Sequence, residues 1–231
     1  MLDRDRIAAV LFDLDGTLVE TDNQMVARWA RVLAPVAWVA RRPDATPLAR
    51  RVVMFAEGPG NGVLGILDRV GLDAPLSRLG ERLSRRPAGS TVQASAVQGV
   101  PAMLAAVRAR YPVALVTTRG RKMATALLAA AGLGDVFTTF ATREDTFYMK
   151  PNPAPVQLAA RLLGVAPERC LMVGDTTVDI LAGKRAGAQT AGVLCGFGER
   201  AELERVGAGV VLEDTSLLAG VLGLEPHPPV A

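Results

Sequence analysis

The chain changes from apolar to acidic within one short stretch near its N-terminus, Ile7-Ala8-Ala9-Val10-Leu11-Phe12-Asp13-Leu14-Asp15-Gly16-Thr17. The first six residues form a continuous apolar run, which is typical of a strand buried on both faces of a parallel sheet. Two carboxylates follow directly, and they are costly to bury without partners. Since open parallel sheets bind ligands beyond the carboxyl ends of their strands, the stretch predicts that Asp13 and Asp15 belong to a functional site.

The remainder of the chain repeats the alternation of strands and helices. Apolar, β-rich runs are predicted as strands at 112–117, 136–140, 169–174, 190–194 and 210–212. Segments with helical spacing lie between them at 99–110, 121–131, 153–163, 179–186 and 200–206. Strands that alternate with helices of this length predict an α/β fold, a Rossmann-like parallel sheet with helices on both faces.

The stretch after the first strand breaks this alternation. It shows helical spacing and turn residues but no convincing strand, which predicts an inserted α-helical cap subdomain at 19–92. The α/β core would then comprise 1–18 and 93–225, with a flexible tail at 226–231. Residues 20–97 hold eleven arginines against seven acidic residues. These arginines either lie on solvated helix faces or attract an anionic substrate.

Composition excludes several classes of protein. Half of the 231 residues are hydrophobic and 21% are charged, as in a globular protein rather than a disordered one. No apolar run reaches the roughly 18 residues of a spanning helix, and no signal peptide is visible, so we expect a cytoplasmic protein without a membrane partner. A net charge of +3 gives no support for nucleic-acid binding. The sequence does not specify an oligomeric state.

The cysteine and histidine content limits the chemistry further. Cys170 and Cys195 make neither a disulfide framework nor a metal cluster. The single histidine, His227, lies in the Pro-rich tail. A Ser-His-Asp triad and a zinc site built on histidines are therefore excluded, and any metal must use oxygen ligands.

Polar residues also stand where later strands of the predicted sheet end. Thr117 and Thr118 end the second core strand, where a hydroxyl and free amides suit either a phosphate oxygen or a helix cap. Lys150, one of three lysines, directly precedes Pro151-Asn152-Pro153, in which the two prolines fix the backbone and permit a helix start. Asp175 follows a strand, and Asp179 lies four residues further on in the predicted helix, so both can face one point.

Together these positions collect four carboxylates, a lysine and a hydroxyl at one edge of the predicted sheet. A hard cation such as Mg²⁺ prefers oxygen ligands and would offset the repulsion among Asp13, Asp15 and Asp175. A metal ion, a lysine and backbone amides at one point make a site for a phosphoryl group. The sequence therefore predicts a site for a phosphoryl group, with a hard cation such as Mg²⁺ among the acidic residues.

The four motifs, in this order and spacing, resemble those of the haloacid dehalogenase (HAD) superfamily, in its phosphoglycolate phosphatase-like branch with an α-helical cap. The resemblance covers nearly the whole chain, because the predicted helical insert follows the first motif, as the α-helical cap does in that family. It implies a Mg²⁺-dependent phosphoric monoester hydrolase that acts on a small phosphorylated metabolite through an aspartyl-phosphate intermediate.

The resemblance also implies roles for the acidic residues. Asp13 would attack phosphorus, and Asp15 would protonate the leaving oxygen and then activate water. Asp13 and Asp175 would bind Mg²⁺ through their carboxylates and Asp15 through its backbone carbonyl. Asp179 would support the metal directly or through water.

The remaining motif residues would serve the phosphoryl group. Thr117, with Thr118 beside it, would bind that group, and Lys150 would pair with it and with Asp13. Thr17 would help to fix Asp15.

Two other functions stay open at this point. A β-phosphoglucomutase-like phosphosugar mutase would use the same aspartyl-phosphate, although such enzymes usually carry an apolar residue at the position of Thr17. A non-catalytic binding protein on the same fold is the second alternative, since a fold alone does not establish activity. The presence of Asp15 argues against a dehalogenase.

Overall fold

A six-stranded parallel sheet runs through residues 2–20 and 94–224, the part of the chain that this computed structural model describes. The strands are β1 (Ala9–Phe12), β2 (Val113–Val116), β3 (Thr139–Ala141), β4 (Cys170–Gly174), β5 (Gln189–Val193) and β6 (Val210–Leu212). Their order across the sheet is β3-β2-β1-β4-β5-β6. The predicted parallel α/β core is confirmed. The predicted cap beyond Glu20 and the tail at 226–231 lie outside the described residues.

Helices cover both faces of this sheet. The described residues form α1 (Val100–Arg108), α2 (Arg121–Ala130), α3 (Ala154–Leu162), α4 (Thr177–Arg185), α5 (Arg200–Arg205) and α6 (Leu218–Val221). Helices α1, α2 and α6 pack into one apolar cluster, and α3 and α4 pack into the other. In the stretches 2–20 and 94–224, no helix has both the length and the apolar character needed to cross a bilayer.

Strand β1 shows why its residues are apolar without alternation. Val10 and Phe12 point into the cluster on one face, and Ala9 and Leu11 point into the cluster on the other. All four side chains are fully buried. Each large apolar side chain that is buried in this way contributes about 1.5–3 kcal/mol, so both faces of the strand stabilise its central place in the sheet.

The sheet order places a topological switch point at β1. The chain moves outward from β1 to β2 and β3 and then returns to add β4 on the opposite side of β1. Phe12 pairs with Val173 and with Leu115, so the carboxyl ends of the three central strands are level. Ligands of open α/β sheets bind in the crevice at such a point.

The chain leaves and re-enters this core at adjacent places. Val19 forms an antiparallel bridge with Ala96, the Glu20 amide donates to the Ser95 carbonyl at 2.9 Å, and the Val97 amide donates to the Leu18 carbonyl at 3.0 Å. The two segments that flank residues 21–93 therefore lie side by side at the edge of the crevice. The division into core and cap stays a prediction.

The largest departure from the predicted boundaries is at the third strand. The apolar run predicted a strand at 136–140, whereas β3 spans Thr139–Ala141. Phe137 is buried, and its ring meets that of Phe12 edge-on at a centroid distance of 6.1 Å. The start of the run is apolar because it fills the core, and not because it pairs with β2. Helix α4 likewise begins at Thr177, two residues earlier than predicted, since Thr176 caps it.

Candidate active site

The first two aspartates lie in a tight turn directly after β1. The Asp13 amide donates to the Val173 carbonyl at 2.9 Å, which extends the pairing with β4 by one residue. The Leu18 and Val19 amides then return to the Leu14 carbonyl at 3.0 and 3.1 Å. Gly16 has a φ of 72°, a conformation that a residue with a Cβ rarely adopts. The turn thereby holds Asp13 and Asp15 at the switch point.

Lys150 is the cation that fixes Asp13. Its Nζ donates to Asp13 Oδ1 at 2.7 Å, to Asp179 Oδ1 at 2.5 Å and to the Val116 carbonyl at 3.0 Å. An ammonium has three donors, and all three are used here. Only 3% of the side chain is exposed, so Lys150 is held rigidly between β2, β1 and α4.

Asp179 lies in the first turn of α4 and has two structural partners. Its Oδ2 accepts hydrogen bonds from the Thr176 amide at 3.1 Å and from the Thr176 hydroxyl at 2.5 Å, which forms a capping box with the start of the helix. Its Oδ1 accepts the bond from Lys150. Both oxygens therefore accept hydrogen bonds from protein donors.

Asp175 is fully buried at the end of β4 and is held by two donors. The Thr17 hydroxyl donates to Oδ1 at 3.0 Å, and the Phe197 amide donates to Oδ2 at 2.8 Å. Thr17 thus contacts Asp175, whereas the resemblance implied that it would fix Asp15. The Gly196 backbone comes so close that a Cβ there would overlap the Asp175 carboxylate.

Three of these carboxylates converge. Asp13, Asp175 and Asp179 each offer an oxygen within 4.8 Å of the others, and all three residues are buried. Burial raises the pKa of Asp13 to about 7; Lys150 opposes this effect, while Asp179 and Asp15 add to it. A cluster of oxygen donors in which one acid resists ionisation fits a divalent metal ion, because the ion would favour the charged form.

The charges of the described site residues support the same conclusion. The described site residues comprise four negatively charged side chains and two positively charged ones, Lys150 and Arg119. The negative ones are Asp13, Asp15, Asp175 and Asp179. With every group ionised, this part of the chain carries a net charge of about −2, which one divalent cation would balance.

The two threonines at the end of β2 have different surroundings. Thr117 is buried, its amide continues the sheet to the Ala141 carbonyl at 3.0 Å, and its hydroxyl oxygen accepts the Arg119 amide at 3.1 Å. The hydroxyl proton can therefore be donated to a ligand. Thr118 is half-buried in the same loop. Both threonines lie at the edge of the sheet that carries the aspartates.

Arg119 is the site residue that the sequence reasoning missed. Its Nε and Nη2 donate to Asp15 Oδ2 and Oδ1 at 2.8 and 2.9 Å, which makes a bidentate ion pair with a carboxylate that is 6% exposed. The signal in the sequence was an arginine directly after Thr117 and Thr118, at the same edge as four acids. The sequence does not show that the guanidinium of this arginine forms a bidentate pair with the Asp15 carboxylate.

A parallel α/β sheet with this acidic crevice at its switch point defines a hydrolase of the haloacid dehalogenase-like type. The sequence model of the haloacid dehalogenase-like hydrolases matches residues 7–187. The chain belongs to this family, and the expectation of a HAD-type enzyme is confirmed.

Particular relatives are similar over almost their full lengths. The pyrophosphatase PpaX of Bacillus velezensis is 30% identical, over 95% of this chain and 98% of the relative. The phosphoglycolate phosphatase of Rhodospirillum rubrum is 30% identical, over 95% of this chain and 92% of the relative. The crystal structure of a HAD family hydrolase from Deinococcus radiodurans R1, with bound phosphate and sodium, is 29% identical with a TM-score of 0.70, and covers 96% of this chain and 99% of that one.

Proposed function

We propose that this protein is a Mg²⁺-dependent phosphatase that hydrolyses a small phosphorylated metabolite through an aspartyl-phosphate on Asp13. The observation that carries the proposal is the convergence of Asp13, Asp175 and Asp179 at the switch point of the sheet, with Lys150 paired to Asp13 and Asp179. Both relatives described above are named as enzymes that act on phosphate compounds.

Asp13 is positioned to act as the nucleophile. Lys150 holds its Oδ1, which leaves Oδ2 to attack phosphorus. The lysine also lies where it can neutralise an oxygen of the phosphoryl group. Phosphoryl transfer demands little covalent chemistry from the protein, so this positioning and charge stabilisation supply most of the acceleration. The Thr117 hydroxyl, with Thr118 beside it, would bind another phosphoryl oxygen.

Asp15 would transfer protons at the leaving oxygen. It follows Asp13 by two residues in the same tight turn and is 6% exposed. In the first step it would protonate the leaving oxygen, and in the second it would take a proton from the water that hydrolyses the acyl phosphate. Its bidentate pair with Arg119 orients the carboxylate for the second step, in which Asp15 is the base. In the first step Asp15 would carry a proton, so one of the two hydrogen bonds from Arg119 would have to open.

The residues present fit Mg²⁺. The carboxylates of Asp13 and Asp175 and the backbone carbonyl of Asp15 would hold the ion, with Asp179 in support. When bound, Mg²⁺ would supply charge neutralisation for the aspartates and for the phosphoryl oxygens. Thr17 and the Phe197 amide orient Asp175, so the position of a metal-binding oxygen depends on donors from two other loops.

A cytoplasmic location is part of the same proposal. Cys170 and Cys195 are both free thiols, and Cys170 is buried. Unpaired cysteines are typical of proteins that fold in a reducing compartment.

The experiment is phosphate release from a panel of phosphorylated metabolites, with Mg²⁺ or with EDTA. Asp13→Asn tests the nucleophile, and the exposed Asp135→Asn is the matched control. We expect Mg²⁺-dependent release that only Asp13→Asn abolishes, by about a thousandfold or more. Release that survives in Asp13→Asn would overturn the proposal. An isomerised phosphosugar without free phosphate would favour the mutase, and Mg²⁺ binding without turnover would favour a non-catalytic protein.

A further inference from the structure

Two side chains from the C-terminal part of the chain hold the turn that follows β1. The Gly16 carbonyl accepts a hydrogen bond from the Cys195 thiol at 3.2 Å, and the Thr17 carbonyl accepts one from the Thr215 hydroxyl at 2.7 Å. Thr17 and Thr215 are both fully buried. Because a buried carbonyl that loses its donor keeps the full cost of its desolvation, these contacts stabilise one backbone conformation of the turn.

The number of available protons shows which of the two contacts is the stronger. A carbonyl cannot donate, so the single hydroxyl proton of Thr215 goes to Thr17. The Thr215 hydroxyl oxygen also lies 3.1 Å from Cys195 Sγ, and it must be the acceptor there because its proton is already used. The one thiol proton is consequently shared between Thr215 and the Gly16 carbonyl. Since a thiol is a weak donor, Thr215 makes the stronger contact with the turn.

The Thr215 side chain projects from a firmly anchored element. It begins a short 3₁₀ helix, Thr215–Leu217, in which the Asp214 side chain accepts the Ser216 amide at 2.7 Å. Helix α6 follows directly and packs with α1 in the same apolar cluster. Ser216 also lies so close to Gly99, just before α1, that a Cβ on this glycine would overlap it. The hydroxyl of Thr215 therefore has a fixed position relative to the core.

Thr17 connects this anchored hydroxyl to the acids of the site. Its carbonyl accepts the bond from Thr215, and its own hydroxyl donates to Asp175 Oδ1 at 3.0 Å. It also follows Asp15 by two residues in the same turn. A shift of the Thr17 backbone would therefore move both a donor to Asp175 and the backbone of Asp15. A misplacement of about 1 Å at reacting groups can cost about a hundredfold in rate.

We propose that Thr215 is a positioning residue for the phosphatase reaction, which holds Thr17 and through it sets the positions of Asp15 and Asp175. The inference rests on the proposed phosphatase function. Thr215 acts only through the Thr17 carbonyl and takes no part in the chemistry itself. Its loss should lower the rate of the reaction and the affinity for the divalent cation, while binding of the substrate changes little.

The test is Thr215→Val, which keeps the volume of the side chain and removes the hydroxyl. With p-nitrophenyl phosphate and saturating Mg²⁺, we expect kcat to fall about tenfold and KM to change by no more than about threefold, because the acids shift while Thr117 and Lys150 stay in place. Calorimetric titration of Mg²⁺ into the metal-free variant should give an affinity about threefold lower. Thr215→Ser keeps the donor and should restore kcat and the Mg²⁺ affinity to within about twofold of the wild type.

Thr190→Val is the matched control. Thr190 is 2% exposed, and its hydroxyl also contacts the backbone, since it accepts the Gly209 amide at 3.2 Å. It lies near the amino end of β5, whereas the acids lie beyond the carboxyl ends of the strands. Both valine variants lose one buried hydrogen bond, so urea unfolding should show similar losses of stability, but only Thr215→Val should change kcat. Thr215→Cys keeps a weak donor and should show a smaller fall in kcat; it carries the comparison if circular dichroism shows that Thr215→Val is unfolded.

Three kinetic results would overturn the inference. These are an unchanged kcat in Thr215→Val, an equal fall in Thr190→Val, and a Thr215→Ser variant as slow as Thr215→Val. A loss that appears in KM instead of kcat would also overturn it, because it would place Thr215 in substrate binding.

Hydrogen–deuterium exchange of the segment 13–20 in the metal-free protein separates this failure from failure of the proposed function, since it needs no turnover. Thr215→Val should speed exchange in this segment, and Thr190→Val should not. If the wild type releases no phosphate from p-nitrophenyl phosphate, the phosphatase proposal fails for that ester. Faster exchange together with a weaker Mg²⁺ affinity, both restored in Thr215→Ser, would still support the positioning role of Thr215. If either quantity in Thr215→Val equals that of the wild type, the role is overturned.

Discussion

Lys150→Met removes the positive charge that pairs with the buried carboxylates of Asp13 and Asp179, while it keeps most of the side-chain volume. The wild-type ammonium makes two charged hydrogen bonds, to Asp13 and Asp179, and one to the Val116 carbonyl. Loss of one partner from a buried ion pair costs about 3–5 kcal/mol, because the remaining charge stays desolvated. We expect the metal-free variant to lose a free energy of unfolding of this order at neutral pH.

This loss should depend on pH with a defined sign. The folded-state pKa of Asp13 is raised by burial from its ordinary value of 3.8 to about 7. The folded protein therefore binds this proton more tightly than the unfolded chain does. In the metal-free wild type, Asp13 ionises in the unfolded chain above about pH 4, while the folded protein keeps the proton up to about pH 7. The free energy of unfolding therefore falls across this range by up to about 4 kcal/mol, at about 1.4 kcal/mol for each pH unit.

Lys150→Met should make the pH dependence steeper. Near pH 5, Asp13 is protonated in both folded proteins, so the variant loses the ion pair with Asp179 and the hydrogen bonds to Asp13 and the Val116 carbonyl, but no ion pair with Asp13. Near pH 8 the variant must either keep Asp13 protonated or bury its carboxylate without a cation. The difference in the free energy of unfolding between the variant and the wild type should then grow by about 1–2 kcal/mol.

The assay is urea unfolding with EDTA, near pH 5 and near pH 8. Lys184→Met is the matched control, since Lys184 is exposed and donates one hydrogen bond to the Val206 carbonyl at 2.7 Å. We expect the control to lose no more than about 1 kcal/mol at either pH. A Lys150→Met loss that matches the control, or that is equal at both pH values, would refute the reasoning.

Three further changes test the surroundings of the acids. Thr17→Val should weaken divalent-cation binding about tenfold in a calorimetric titration, because the hydrogen bond to Asp175 is lost, while Thr17→Ser keeps it; equal affinities would contradict this role. Gly196→Ala should destabilise the protein by about 1–3 kcal/mol in urea unfolding, since a Cβ would overlap the Asp175 carboxylate. Gly220→Ala, where nothing lies within 4 Å of a Cβ, should be neutral or stabilising. Addition of Mg²⁺ should raise the thermal midpoint more near pH 8 than near pH 5, because ionised Asp13 favours the ion; the opposite order would argue against Asp13 as a ligand.

The chain's periodicity predicted the fold well because the strands are buried on both faces. Continuous apolar runs such as those before Asp13 and Asp175 leave few alternatives to a parallel sheet. The run at 136–140 misled at its boundary, since Phe137 is apolar for packing against Phe12 and not for pairing. Local pattern cannot separate these two causes of hydrophobicity.

The sequence predicted which residues lie at the carboxyl ends of the strands, but not which side chains contact each other there. Parallel strands bring their carboxyl ends together, so Asp13, Asp175 and Lys150 could be placed at one edge before any contact was known. The partners of Thr17 and Arg119 could not, because they depend on which side chain each loop aims at across more than a hundred residues. These contacts are set by packing between loops that no local pattern describes.

The measurement that tests the central claim most directly is the trapping of a phosphoryl group on Asp13. Asp15→Asn should slow hydrolysis of the acyl phosphate, and acetyl phosphate has a leaving group that needs no protonation. After incubation with Mg²⁺ and an acid quench, peptide mass spectrometry should find phosphate on Asp13. The label should be absent with EDTA and in a variant that also carries Asp13→Asn. Turnover by the wild type with no phosphorylated protein in Asp15→Asn, or a label that persists after Asp13→Asn, would contradict the account.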